Sequence, residues 1–147
     1  MKKEYNVLVG TSMAEDIKHK IGSAYPTMTI EEMNIKGRDL QTGIPKSITI
    51  DSSQVEEAMK EVLMQIVGAI KYTLEQTPTE LASDIMINGI TLVGGSALIK
   101  NIDRLIALET GIPVNIAKRP MDAVVVGASK VLDDLDKLKS LLINKKS

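Results

Sequence analysis

Gly89-Ile90-Thr91-Leu92-Val93-Gly94-Gly95-Ser96-Ala97 is the stretch on which the fold turns. Its short β-rich run between glycines reads as a buried strand, and the helical pattern that follows, to about Thr110, makes a unit of strand, turn and helix. Gly111 closes that helix, Ile112 to Ile116 reads as another strand, and the chain from Met121 returns to helix through Leu135. Strands alternating with helices argue for an α/β sheet. Paired glycines after a strand let the backbone approach a ligand closely, and the helix beyond turns its free amides toward it. The same glycines equally serve the geometry of a strand-to-helix turn, and Ser96 also fits a helix N-cap. Residue chemistry alone leaves both readings open.

Upstream, three stretches have the form of capping boxes, in which a hydroxyl and a carboxylate three residues on satisfy the orphan amides of a helix start. Ser12 to Glu15 predicts a helix to about Ile21, with Ala14, Ile17 and Ile21 toward the core and Glu15, Lys18 and His19 on another face. Ser53 to Glu56 predicts a long amphipathic helix to about Gln76, its core stripe running through Val55, Met59, Val62, Ile66, Ala69, Ile70 and Leu74. Thr77 to Glu80, with Pro78 at the first helical position, predicts a short helix through about Asp84. Met28 to Lys36 and Lys46 to Ile50 are extended in character and flank the turn-rich segment from Gly37 to Gly43, which predicts a hairpin.

Composition narrows the function classes. The 147 residues are 44% hydrophobic and 25% charged, with 18 Lys and Arg against 19 Asp and Glu, the profile of a globular protein of about one domain. The balance lacks the basic excess that nucleic-acid binding requires, and three Tyr with no Phe or Trp offer few stacking platforms. No cysteine is present, which excludes disulfides and thiol catalysis and predicts a cytoplasmic protein, while the single His19 cannot build a zinc site and reads as a solvated helix residue. The apolar run at the N-terminus is too short for a signal peptide or a spanning helix, so no direct membrane insertion is expected. Lys137, Lys139, Lys145 and Lys146 read as a solvated tail.

The glycine stretch resembles the adenosine motif of the actin, Hsp70 and sugar-kinase superfamily. Thr11 to Tyr25, Lys36 to Pro45, Glu75 to Asp84 and Glu109 to Val114 are similar, in order, to segments of the MreB family of bacterial actin relatives, and this speaks against a sugar-kinase or chaperone fragment, which would share only the glycine motif. The resemblance implies an α/β fold, an actin-like ATPase (ribonuclease H-like) lobe, with residues 1–52 in part of subdomain IIB and 53–147 in most of subdomain IIA. It implies a partial ATP site that meets only the adenosine, from Ala14, Glu15, Ile17 and Lys18 on one side and Gly94, Gly95, Ser96 and Ala97 on the other. The phosphate loops, the acidic residues that hold magnesium and the water-positioning group belong to a lobe that this chain is expected to lack, so magnesium would enter only with nucleotide in a full-length relative and no ATP hydrolysis is expected of the chain alone.

The implied role is that of a cell shape-determining cytoskeletal protein. Its implied partners are itself or full-length MreB filaments and a RodZ-like membrane protein through which it would reach the membrane. The alternative is an interaction module or filament cap that binds no nucleotide. Two departures from the family pattern stand out: Lys118-Arg119 before Pro120, where an acidic pair is usual, and Ser129 in Gly127-Ala128-Ser129-Lys130, where glycine is usual.

Overall fold

The computed structural model describes residues 2–133. Its elements are α1 (Lys2–Tyr5), β1 (Val7–Leu8), α2 (Thr11–Ile21), β2 (Glu32–Asp39), β3 (Pro45–Asp51), α3 (Ser52–Glu75), α4 (Thr79–Asn88), β4 (Ile90–Leu92), α5 (Ile102–Thr110), β5 (Val114–Ile116) and α6 (Ala123–Asp133), with a 3-10 turn over Gly95–Leu98. The order β1-β2-β3 makes an antiparallel sheet, and β4 and β5 pair in parallel, Ile90 beside Val114 and Leu92 beside Ile116. The mixed α/β class agrees with the sequence reading. The tail from Asp136, with its lysines, and the last predicted residues of α6 lie outside the described residues.

The hairpin is β2 and β3, with the first strand three to four residues later than its apolar pattern suggested. Its turn is set by Asp39, whose carboxylate accepts the amides of Gln41 at 2.9 Å and Thr42 at 3.0 Å, an arrangement that short acidic side chains favour in turns. The alternation of the hairpin buries Ile35 and Ile50 against Ile17 and Ile21 of α2 and Val55 of α3, making the first core. Ala24, Leu63, Val67, Ile102 and Ile106 make the second, with Ile90, Leu92 and Val114 packed on it.

Helix α3 serves both cores through a stripe that keeps Val55, Met59 and Ile70 of the one predicted and departs from it in between. Val55, Leu63 and Val67 are buried with Met59 between them, while Val62 and Ile66 face outward, so the stripe is rotated from that drawn through Val62 and Ile66. Ala14 on α2 is likewise exposed rather than core-facing, whereas Ile17 and Ile21 are buried as expected.

None of the three capping boxes forms where predicted. Gly10 is the N-cap of α2 with no side-chain bond, leaving Ser12 inside the first turn; Pro78 is the N-cap of α4, which runs on to Asn88. A box does cap α3, two residues earlier: the Asp51 carboxylate accepts the Gln54 amide at 3.0 Å, and the Gln54 side chain accepts the Asp51 amide at 3.1 Å. Asp caps as well as Ser and adds a charge suited to the positive end of the helix.

The Ser53 hydroxyl and then the Gln54 amide hold the Asp51 carboxyl below the ordinary range. A depressed pKa means that the stabilisation is present above the unfolded value and fades as pH falls through the folded one. Asp51→Asn keeps the acceptor but cannot titrate. Helicity followed by circular dichroism from about pH 6 to about pH 2 is expected to fall more in the parent than in this variant; parallel curves would remove the cap from the acid response.

Candidate functional site

With no cap duty, the Glu15 carboxylate is free to pair along α2: Lys18 Nζ lies 2.7 Å away and His19 Nε2 3.5 Å. The hydrogen bond from Lys18, and then its charge, hold Glu15 below the usual carboxylate range. Both side chains remain partly exposed, so the pair is a polar rim more than a structural bond.

That rim borders a cavity of about 310 Å³, at the lower end of the volumes that small ligands occupy. Helix α2 contributes Ala14, Glu15, Ile17 and Lys18 to its wall; Tyr5, Val9, Gln54, Val55, Ala58 and Met59 contribute most of the rest. Four of the eight residues proposed from sequence are thus brought together. Two that sequence reasoning missed are tied to each other: Gln54 Nε2 donates to the Tyr5 hydroxyl while its Oε1 completes the α3 cap. The only signal for them was Gln54 inside the stretch read as a capping box and Tyr5 as one of three aromatics.

Gly94, Gly95, Ser96 and Ala97 do not line this cavity. They form the turn at the C-terminal end of β4, the end of a parallel sheet at which ligands bind in open α/β folds. Gly94 has φ +82°, a conformation open to glycine, and its amide donates to the Pro120 carbonyl at 2.7 Å. The turn is therefore anchored to the loop after β5. Ser96 makes no N-cap bond, because the chain enters a 3-10 turn and α5 starts only at Ile102, behind Asn101. Ala97 is buried. The unusual basic pair is close by, with Arg119 bound to Asp122 Oδ2 through Nε at 3.0 Å and Nη2 at 2.7 Å.

Among the described residues no group of three or more His, Asp or Glu side chains is placed to hold a metal. No helix among them is long and apolar enough to cross a membrane.

The family model described as MreB/Mbl protein matches residues 1–140. Cell shape-determining protein Mbl of Bacillus subtilis is 45% identical over 138 residues, covering 94% of this chain and 41% of that protein. Cell shape-determining protein MreB of Escherichia coli K12 is 46% identical over 136 residues, covering 92% and 39%. The chain thus spans about two fifths of the length of these relatives. The crystal structure of MreB5 of Spiroplasma citri bound to ADP superposes with a TM-score of 0.89 at 36% identity, over 95% of this chain and 42% of that one. The AMPPNP-bound form of the same protein gives 0.88 over 96% of this chain. An α/β lobe of actin-like build, matched along nearly its whole length in both sequence and structure, leaves one assignment: the chain belongs to the MreB/Mbl family.

Proposed function

We propose that the chain supplies the adenosine-facing part of a cell shape-determining, actin-like subunit, with residues 1–52 belonging to subdomain IIB and 53–147 to IIA. The observation that carries this is the cavity on α2, where Ala14, Glu15, Ile17 and Lys18 share one wall below a charged rim. The nucleotide-bound state of the two superposed MreB5 structures supports it. In this reading the Glu15 and Lys18 side chains hydrogen-bond base or ribose. Gly95 and Ser96, the first residues of the 3-10 turn, offer amides that have no acceptor within it, and Ala97 packs beneath. Gly94 contributes by shape, since its amide is engaged by Pro120.

Charge-assisted contacts to phosphate and magnesium would supply most of the affinity of a complete site. An adenosine wall alone contributes a few hydrogen bonds of roughly 0.5 to 1.5 kcal/mol each, so binding no tighter than about millimolar is expected. ATP, ADP and adenosine are then expected to bind almost equally, with NMR shifts confined to residues near Glu15, Lys18 and Gly95, and with no ATP turnover. Binding that demands magnesium and the γ-phosphate would refute the adenosine-only reading.

The filament itself, or another copy of this chain, is the proposed partner, with membrane contact made through a RodZ-like protein and not by insertion. The second reading, an interaction module or filament cap without nucleotide, is favoured by a specific observation: α4 and α6 bury no side chain, and Met86, Ile87, Val124 and Val125 are all exposed. Absence of any adenosine-induced shift, together with loss of sedimented polymer when the chain is added to filaments of a full-length relative, would decide for it.

A further inference from the structure

The two walls of the proposed adenosine site stand on different cores. Ile17 and Ile21 root α2 in the first, whereas Leu92 and Ile99, on either side of the diglycine turn, pack on the second. The two sheets do not pair with each other. Apart from α3, which runs under both cores, a knot of polar groups joins the walls at the far end of each.

Ser23, just beyond α2, and Lys100, just beyond the 3-10 turn, form a parallel bridge outside both sheets. The Ala24 amide donates to the Lys100 carbonyl at 2.7 Å. The Ser23 hydroxyl, 2% exposed, donates to the Tyr25 carbonyl at 2.7 Å and accepts from Asn101 Nδ2 at 2.9 Å. Lys100 Nζ reaches back to the Lys20 carbonyl in the last turn of α2 and to Glu31 Oε2, both at 2.7 Å. Each of these bonds except that to Tyr25 ties Lys100 or Asn101 to the segment from Lys20 to Glu31, which follows α2. Asn101 is held at φ +60°, a left-handed conformation that asparagine tolerates better than most residues, and its amide is thereby aimed at Ser23.

We infer that this staple sets the separation between α2 and the diglycine turn, which makes Ser23, Lys100 and Asn101 positioning residues for both walls. What the walls hold rests on the reading under Proposed function; the staple itself does not. The buried Ser23 hydroxyl accepts from Asn101 on the opposite segment, and the pair resists sliding, because a shift leaves the Asn101 amide without that acceptor. The Lys100 ammonium adds a second tether at the C-terminal end of α2, where cations are favoured.

The chain contains no cysteine, so spin labels on His19→Cys and Leu98→Cys, both exposed positions, report the separation directly. Pulsed EPR is to be compared among the labelled parent, Asn101→Gly, Lys100→Met and Lys100→Arg. Glycine keeps the left-handed backbone at 101 but loses the amide, so this variant folds while missing one strand of the staple. Loss of the narrow distance distribution in Asn101→Gly and Lys100→Met, with its return in Lys100→Arg, is the expected result; unchanged widths in both variants would overturn the inference. Adenosine titrations of the parent and of Asn101→Gly, followed by NMR, read the site separately. Shifts at Lys18 and Gly95 are expected to saturate together in the parent and to part in the variant, and shifts that still saturate together despite widened distances overturn the positioning role. No shift in the parent sinks the adenosine reading and leaves the distances to judge the staple.

Discussion

Gly89→Ala is expected to lose about 2 to 6 kcal/mol of folding stability, the sum of a backbone forced into a glycine-only region and of an overpacked contact. Gly89 ends α4 at φ +77° and ψ −170°, and a Cβ there would stand 2.4 Å from the Pro113 carbonyl oxygen and 3.0 Å from its carbon. That carbonyl also accepts the Ile90 amide at 2.8 Å and so starts the pairing of β4 with β5. The methyl cannot be accommodated by a side-chain rotation, because its obstacle is backbone. Domains of ordinary stability hold about 5 to 15 kcal/mol, so the variant should lie near the edge of folding. Gly111→Ala is the control: Gly111 is also left-handed, at φ +71°, but a Cβ there meets nothing within 4 Å, so only about 1 to 2 kcal/mol is at stake. Equal urea midpoints for the two variants would show that the contact with Pro113 is unimportant.

Ile106→Ala is expected to cost about 2 to 5 kcal/mol, the range for removing a buried branched side chain and leaving part of its volume empty. Ile106 is 1% exposed and sits in the second core with Leu63 and Val67 of α3, Ala24 and Ile102. Two residues on, Leu108 is 61% exposed on the same helix, and Leu108→Ala should stay within about 0.5 kcal/mol of the parent. Denaturation of both variants tests whether α5 is held by this one face. A large loss from Leu108→Ala with a small one from Ile106→Ala would place the helix the wrong way round.

The architecture was legible in the sequence because its decisive signals are local. The Gly89 to Ala97 stretch, the turn-rich segment before Ile44 and the long periodic run of α3 each announce an element without help from the rest of the chain. The errors have a common cause. Ser12, Ser53 and Thr77 each satisfied the capping pattern, but the cap goes to the residue at which the backbone leaves extended geometry, and that depends on where β1, β3 and α3 end. At α3 this handed the role to Asp51. The middle of the α3 stripe, at Val62 and Ile66, was misplaced for a related reason: a helix with many aliphatic residues offers several apolar faces, and only the neighbours choose among them.

The candidate site was half legible. Glu15 and Lys18 are adjacent on a helix face at any rotation, so their pairing follows from spacing, and Ala14 and Ile17 come with them. The relation of α2 to the turn after β4 is a long-range matter, and no spacing along the chain encodes it. Tyr5 and Gln54 escaped for the same reason, being 49 positions apart yet hydrogen-bonded.

Helix α3 runs 24 residues, about 36 Å, beneath both cores, with Met59 touching each of them. Neither core has a helix of this length to itself. Melting either half would strip one side of the same rod and leave the other half perched on a helix that has lost its support, so the two are bound into one cooperative unit of unfolding. Although the sheets are separate and the polar staple is small, the described residues have no fault line along which half of them could be shed while the rest persists.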